Sequence, residues 1–375
     1  MSERAGIYAH LPYCASRCGY CSFVVTTDGS SRERYLESLM AEAALVAEEA
    51  AGAAFDSVYL GGGTPSLLPP GAIARLLSDL RARFSIEPAA EVTLEANPED
   101  VTAAAVEAWI GAGVNRVSVG VQSLEDAELS AVGRRHDASR ARAALEVLAA
   151  SGLSISGDLI LGLPSQTPES FRRSVAGVCE AGVSHVSVYL LETKTQAIEE
   201  DRRRHPERYL SDDLQADAWL EMGATLADRG FGHYEISNWA RPGREARHNV
   251  KYWTREPTLG LGISAHELWA GRRRANVSSI EKYVEELAAG RRPLALDQPL
   301  TPAEVEREEI FLGLRLSRGV SAARLEERVS GSEDARLRDD YAGWLEGGIL
   351  ERVAGRIRFT DRGFLVSNEV LSRFV

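Results

Sequence analysis

Short runs of apolar and β-branched residues recur along the first half of the chain, and longer stretches with helical periodicity separate them. The runs cover residues 6–11, 55–60, 91–95, 116–121, 154–161 and 185–191. Between Arg32 and Ala50 the apolar side chains fall at Tyr35, Leu36, Leu39, Met40, Ala43 and Val46, one face at a 3.6-residue period. Similar stretches span 71–84, 101–112, 138–150 and 168–181. Strands alternating with helices in this way predict an α/β fold with a parallel sheet, open or curled into a barrel. Ala112-Gly113-Val114, Ser151-Gly152-Leu153 and Ala181-Gly182-Val183 repeat one device, a glycine ending a helix just before the next strand.

After Thr193 the pattern changes. Residues 199–208 form a charge run, read as a solvated helix or loop. Residues 231–253 are rich in aromatic, His and Asn side chains without clear periodicity, and Pro242-Gly243 marks a turn. Residues 289–302 carry Gly, Arg and Pro and read as a linker. Beyond Pro302 the chain is helical, then ends in two strand-like pieces around Gly355. This predicts a small helical, winged-helix-like C-terminal domain. The expected divisions are a barrel over 1–240, a connecting segment over 241–298, and the C-terminal domain over 299–375.

Composition narrows the partners. Of the 375 residues, 44% are hydrophobic and 26% charged, which is ordinary for a folded globular protein. Acidic residues outnumber basic ones by 55 to 43, a formal charge of −12, so a polyphosphate backbone is not an expected partner. No apolar run is long enough for a membrane-spanning helix and no signal peptide opens the chain, so a cytoplasmic setting is expected.

Four cysteines in a chain of this length are too few for a disulfide scaffold. Three of them, Cys14, Cys18 and Cys21, form C-x3-C-x2-C three residues after the first predicted strand. That is the C-terminal end of the strand, the face where βα-barrels place their active sites. Thiolates bind zinc or iron–sulfur clusters. Structural zinc asks for four closed ligands, and no second C-x2-C pair exists here. Three thiolates on a four-iron cluster leave one iron open. Cys179 stands alone on a predicted helix and reads as a small core residue.

With an aromatic residue, Tyr20, before its third cysteine, this motif resembles the radical S-adenosylmethionine superfamily. The resemblance implies a partial (β/α)6 barrel, a [4Fe–4S] cluster on Cys14, Cys18 and Cys21, and S-adenosylmethionine chelated to the open iron. One electron from the cluster then splits the sulfonium to a 5′-deoxyadenosyl radical. Further motifs resemble the coproporphyrinogen-oxidase-like branch. Leu60-Gly61-Gly62-Gly63-Thr64-Pro65 follows the second strand, and glycines there let backbone N–H groups approach a ligand. Glu95 ends the third strand, Gln122 the fourth, Arg134 follows twelve residues later, and Asp158 lies within the fifth. Carried over to these positions, Gly62, Gly63 and Thr64 meet the cofactor's amino group. Glu95, Gln122, Arg134 and Asp158 meet its ribose, adenine or carboxylate, while Tyr8 and Tyr20 flank the cluster. Independently of any family, Asp158 between apolar neighbours needs a buried partner.

Two branches of the family compete, and whether the chain is an enzyme depends on which applies. Oxygen-independent coproporphyrinogen III oxidases, enzymes of porphyrin synthesis, carry a further cysteine two residues after the third cluster cysteine. Here that position is Phe23. The haem-chaperone branch carries H-N-x-x-Y-W, matched by His248, Asn249, Tyr252 and Trp253. The second resemblance implies haem bound through these four residues, with His248 an axial ligand and the aromatic rings against the macrocycle. It also implies an acceptor protein, which can be membrane-associated, and a cluster-dependent homodimer. A third reading, a zinc-stabilised regulator using its C-terminal domain on DNA, conflicts with the acidic charge and the single cysteine motif.

Overall fold

The computed structural model describes residues 4–192, 195–332 and 334–374. The strand–helix alternation is realised as β1 (Arg4–Leu11), α1 (Arg32–Ala47), β2 (Ala54–Gly62), α2 (Pro70–Arg83), β3 (Ser85–Ala96), α3 (Ala103–Gly111) and β4 (Arg116–Gln122). It continues through α4 (Asp126–Ala131), α5 (Ala138–Ala149), β5 (Ser154–Leu161), α6 (Pro168–Glu180) and β6 (His185–Leu190). Each neighbouring pair from β1 to β6 runs parallel. The helices begin where the sequence supplies caps. Thr102, Asp137 and Thr167 accept from the third residue of α3, α5 and α6, and Ser170 returns a bond to Thr167. Gly113 and Gly182 adopt φ of 89° and 81° just past α3 and α6, a turn that a side chain would strain.

The six strands form the partial (β/α)6 barrel. Side chains alternate along them with period two. On β4 the residues Val117, Val119 and Val121 are buried beneath the helices, while Ser118, Gly120 and Gln122 are half-buried on the other face. Tyr8, Tyr59, Glu95 and Asp158 continue that second face, which lines a polar lumen.

The second half departs more from expectation. The charge run becomes α7 (Gln196–Arg204), followed by a long α8 (Asp212–Asp228). Then come β7 (Gly232–Glu235), β8 (Asn238–Ala240), α9 (Arg247–Thr254), β9 (Thr258–Leu261), β10 (His266–Trp269), β11 (Arg272–Asn276), α10 (Ile280–Ala288) and β12 (Leu294–Pro299). All six strands join the barrel's sheet, in the order β12-β11-β10-β9-β1-β2-β3-β4-β5-β6-β8-β7. Residues 241–298 are therefore continuous with the barrel sheet. The expected linker over 289–302 holds an edge strand, because β12 pairs with β11 from Leu294 to Pro299. It ends in proline, as suits an edge.

The last part has its own core, from Ile310 to Phe374. It consists of α11 (Pro302–Gly313), β13 (Val320–Ser321), α12 (Ala322–Ser330), α13 (Ala335–Glu346), β14 (Leu350–Val353), β15 (Arg356–Phe359), α14 (Asp361–Leu365) and α15 (Ser367–Leu371). Helices α11, α12 and α13 with a three-stranded sheet, β13-β15-β14, give the winged-helix-like form. It docks where β7 ends: Ile236 N–H donates to the Arg315 carbonyl and Ser317 N–H to the Tyr234 carbonyl. The His233 ring fills the joint, stacked on Trp239 at 4.3 Å and edge-on to Phe364 at 4.5 Å.

Candidate functional site

The loop after β1 carries the three cysteines, all half-buried. Backbone bonds fix it from several sides. Cys14 N–H donates to the Thr26 carbonyl at 2.9 Å, Thr26 N–H to the Pro12 carbonyl at 2.8 Å, and Gly19 N–H to the Val132 carbonyl at 3.1 Å. His10 Nε2 donates to the Val24 carbonyl at 3.0 Å, so its Nδ1 accepts from Tyr8 Oη at 2.9 Å. Thr195 Oγ1 donates to the Gly19 carbonyl at 2.6 Å. A cavity of about 500 Å³ opens against this loop, lined by Arg17, Cys18, Cys21, Ser22, Thr195 and Gln196 among others.

Two thiols meet donors from elsewhere in the fold, Thr64 just past β2 and Arg134 between α4 and α5. Thr64 Oγ1 donates to Cys14 Sγ at 3.5 Å, and Arg134 Nη1 to Cys18 Sγ at 3.6 Å. Burial pushes the Cys14 and Cys21 thiols up. Arg134 also donates to the Gly120 carbonyl at 2.9 Å, to Asn97 Oδ1 at 2.8 Å and to Tyr20 Oη at 3.5 Å. It thereby ties β4, the end of β3 and the cysteine loop together.

Gly62 and Gly63 sit where no side chain fits. A Cβ on Gly62 would lie 2.5 Å from the His10 ring, and one on Gly63 would lie 2.7 Å from the Pro12 backbone. Their N–H groups are not free for a ligand, which corrects the sequence expectation. Gly62 N–H donates to Glu95 Oε2 at 2.9 Å, Gly63 N–H to the Leu11 carbonyl and Thr64 N–H to the Tyr13 carbonyl. What this segment can offer an ammonium group is carbonyl oxygen, with the Glu95 carboxylate beside it. Glu95 also accepts from Tyr59 Oη at 2.8 Å. Burial raises its carboxyl to about 7.

Asp158 has the partners its position demands. It accepts from Ser118 Oγ at 2.8 Å and from Ser156 Oγ at 2.9 Å. Burial still holds its carboxyl above the ordinary range. Gln122 closes β4 with φ of 65°, a left-handed conformation uncommon outside glycine, at a strand end facing the lumen. The structure thus brings Arg134 to the thiols at the mouth and sets Tyr8, Glu95, Gln122 and Asp158 on the lumen face of the strands below it. Asn97, Tyr59 and the serines around Asp158 were missed. Asn97 joins Thr64 Oγ1 at 3.2 Å to Arg134, and counting by two from Glu95 along the strand would have found it.

The His248 segment lies elsewhere. Helix α9 covers the N-terminal ends of the strands, the floor opposite the thiols. His248 is 1% exposed. Its Nδ1 bonds Ser57 Oγ at 3.0 Å and its Nε2 bonds Tyr252 Oη at 2.9 Å. Burial lowers its pKa to about 3, so the ring is neutral and one nitrogen donates while the other accepts. Asn249 is half-buried beside it. The Trp253 ring faces the C-terminal domain, with the Arg315 guanidinium 4.3 Å from its centroid. These four residues do not surround a macrocycle, and neither ring nitrogen of His248 has a free lone pair for iron. Haem does not fit this ligand set as the residues stand. Cys179 lies in the barrel core, as its isolated place on a predicted helix suggested.

Comparison with known proteins shows the family. The Radical SAM superfamily model matches residues 8–176, and the HemN C-terminal domain model matches residues 300–366. The protein named heme chaperone HemW in Mycobacterium tuberculosis is 36% identical over 98% of this chain and 93% of its own length. Its namesake in Lactococcus lactis is 33% identical over 98% and 96%. This chain belongs to the HemW family of radical SAM proteins. Membership in the radical SAM superfamily implies a [4Fe–4S] cluster and S-adenosylmethionine as cofactors. The solved structure of coproporphyrinogen III oxidase (HemN) from Escherichia coli superposes with a TM-score of 0.84 at 23% identity. It covers 100% of this chain and 90% of that one, a likeness of fold.

The residues at the mouth fit those two cofactors. Among the described residues, no three His, Cys, Asp or Glu side chains converge on a single ion. A four-iron cluster asks for something else, since each thiolate binds its own iron and the sulfurs stand apart. Among the described residues no helix is long and apolar enough to cross a membrane.

Proposed function

We propose that this chain is a haem chaperone: it binds a [4Fe–4S] cluster and S-adenosylmethionine at the barrel mouth, binds haem, and passes haem to an acceptor protein. The observation that carries the reading is the likeness to proteins named heme chaperone HemW over 98% of the chain. Phe23 supports it, standing where the related oxidases have a cysteine. A reducing cytoplasm suits three free thiols.

In this reading Cys14, Cys18 and Cys21 hold the cluster. When bound, the cluster and S-adenosylmethionine together supply one-electron chemistry. The rest falls to the chain's own groups. Arg134 offsets thiolate charge at Cys18 and keeps Asn97 and the end of β4 in place. The Gly62–Thr64 carbonyls and Glu95 receive the methionyl ammonium. Asp158, held by serines, and Gln122, held in its strained turn, face the ribose and adenine. Tyr8 and Tyr20 shield the cluster side. Haem contact through His248 would require α9 to leave the floor, so the reading does not depend on that residue.

Anaerobic reconstitution followed by two assays on one sample tests the proposal. Haem binding followed by absorbance, without conversion of coproporphyrinogen in the presence of S-adenosylmethionine and reductant, is the expected result. Turnover to protoporphyrinogen would make the chain an oxidase despite Phe23.

A further inference from the structure

Two chains of contacts run from the lumen carboxylates down to α9, one through a ring stack and one through hydrogen bonds. In the first, Glu95 accepts from Tyr59 Oη, and the Tyr59 ring stacks on the His248 imidazole with centroids 5.4 Å apart. His248 is fixed in turn by Ser57, by Tyr252 and by its own N–H, which donates to Glu91 at 3.1 Å. In the second, Asp158 accepts from Ser156 Oγ at 2.9 Å. With that proton committed, His185 Nδ1 donates to Ser156 Oγ at 2.8 Å, and His185 Nε2 accepts from Tyr234 Oη at 2.8 Å. Tyr234 Oη accepts from the N–H of Ala246, the residue capping α9, at 3.3 Å. The floor is shaped around the imidazole itself. A Cβ at Gly6 would lie 2.9 Å from His248 Nδ1.

We propose that His248 is a positioning residue: from the floor it fixes the Tyr59 ring, and through Tyr59 it holds the Glu95 carboxylate ready for the ammonium of S-adenosylmethionine, and it does not ligate haem iron. The inference rests on the reading of Glu95 given above. The Tyr59 ring is bounded on its lower side by His248. Without the imidazole it can sink toward the floor and draw its hydroxyl off Glu95. The carboxylate then keeps only the Gly62 N–H as donor and loses a defined orientation.

The test uses full-length protein loaded with its cluster, with iron per chain as a control. S-adenosylmethionine affinity is measured by equilibrium dialysis, and haem binding by absorbance titration. His248→Ala and Tyr59→Phe should each weaken S-adenosylmethionine binding about tenfold, the worth of one buried hydrogen bond. The double variant should be no worse than either single one, because both act on one contact. His248→Gln, which can still bond Ser57 or Tyr252, should restore part of the loss. The haem spectrum and affinity of His248→Ala should match the parent. Unchanged S-adenosylmethionine affinity in His248→Ala, with a clear loss in Glu95→Gln, would overturn the inference and leave the Glu95 reading intact. An unchanged Glu95→Gln would overturn both. Loss of haem binding in His248→Ala would restore the ligand role and overturn it. If His248→Ala fails to fold, Tyr59→Phe decides, since it keeps the ring and removes only the hydroxyl, and an unchanged affinity there overturns the proposal.

Discussion

The mouth and the floor of the barrel are both rich in polar and aromatic side chains, but they differ in what those side chains have left to give. At the floor the imidazole and the ammonium are spent on neighbours within the fold. Both ring nitrogens of His248 are bonded, and Lys251, 2% exposed, bonds the Arg4 carbonyl at 3.0 Å, Glu256 at 2.7 Å and Asp56 at 2.8 Å. At the mouth the thiols are half-buried, and Thr64, Asn97 and Arg134 converge on them from three separate loops. Unspent valence beside an opening, more than polar character, separates a binding site from a structural network.

The contrast can be broken from either end. At the mouth, Cys14→Ala should abolish the cluster, reading as loss of bound iron and visible absorbance, while the thermal melt of the cluster-free protein barely moves. At the floor, Lys251→Ala should do the reverse. It leaves Asp56 buried without its cation, which costs roughly 3–5 kcal/mol in denaturant unfolding. Molecules that still fold should load iron normally. A Lys251 variant that keeps its stability but loses iron would dissolve the distinction.

The Glu95 carboxyl sharpens it through pH. Raised by burial to about 7, it keeps a proton in the folded chain that the unfolded chain has already released. Its contribution to cofactor-free stability therefore falls as pH rises from the ordinary glutamate range through about 7. A bound ammonium asks for the opposite. S-adenosylmethionine affinity should rise toward pH 7, by up to about tenfold per pH unit below it. Glu95→Gln should flatten both profiles, and a pH-dependent affinity surviving that change would remove Glu95 from the site. The smallest effect is expected at Phe23, 66% exposed. Phe23→Ser should change stability by less than about 0.5 kcal/mol in a chemical melt.

Much of this was legible in the sequence because it depends on local spacing. Short apolar, β-branched runs marked β1 to β6, the cysteine spacing marked the loop, and Asp158 among apolar residues announced a partner that proved to be serine. What was not legible depends on contacts across the fold. Tyr59 joins the site through its bond to Glu95, 36 positions away. H-N-x-x-Y-W reads as a ligand set because imidazole and aromatic rings also suit haem. The spacing held a contrary sign: His248, Lys251 and Tyr252 fall at i, i+3 and i+4, one helix face. That face is pressed against the sheet, and Trp253 is left to the C-terminal domain.

The position of α9 in the chain has a consequence for synthesis. Its Lys251 reaches back 247 residues to Arg4, and His248 reaches back 191 to Ser57. Such distant pairings form late. A ribosome that has released all six parallel strands has therefore released a tube open at both ends, with Tyr8, Tyr59 and Ser57 wet from below. Only when residue 254 emerges can the tube be stoppered. A chain stopped short of that point keeps its cysteine loop and lacks the plug beneath it.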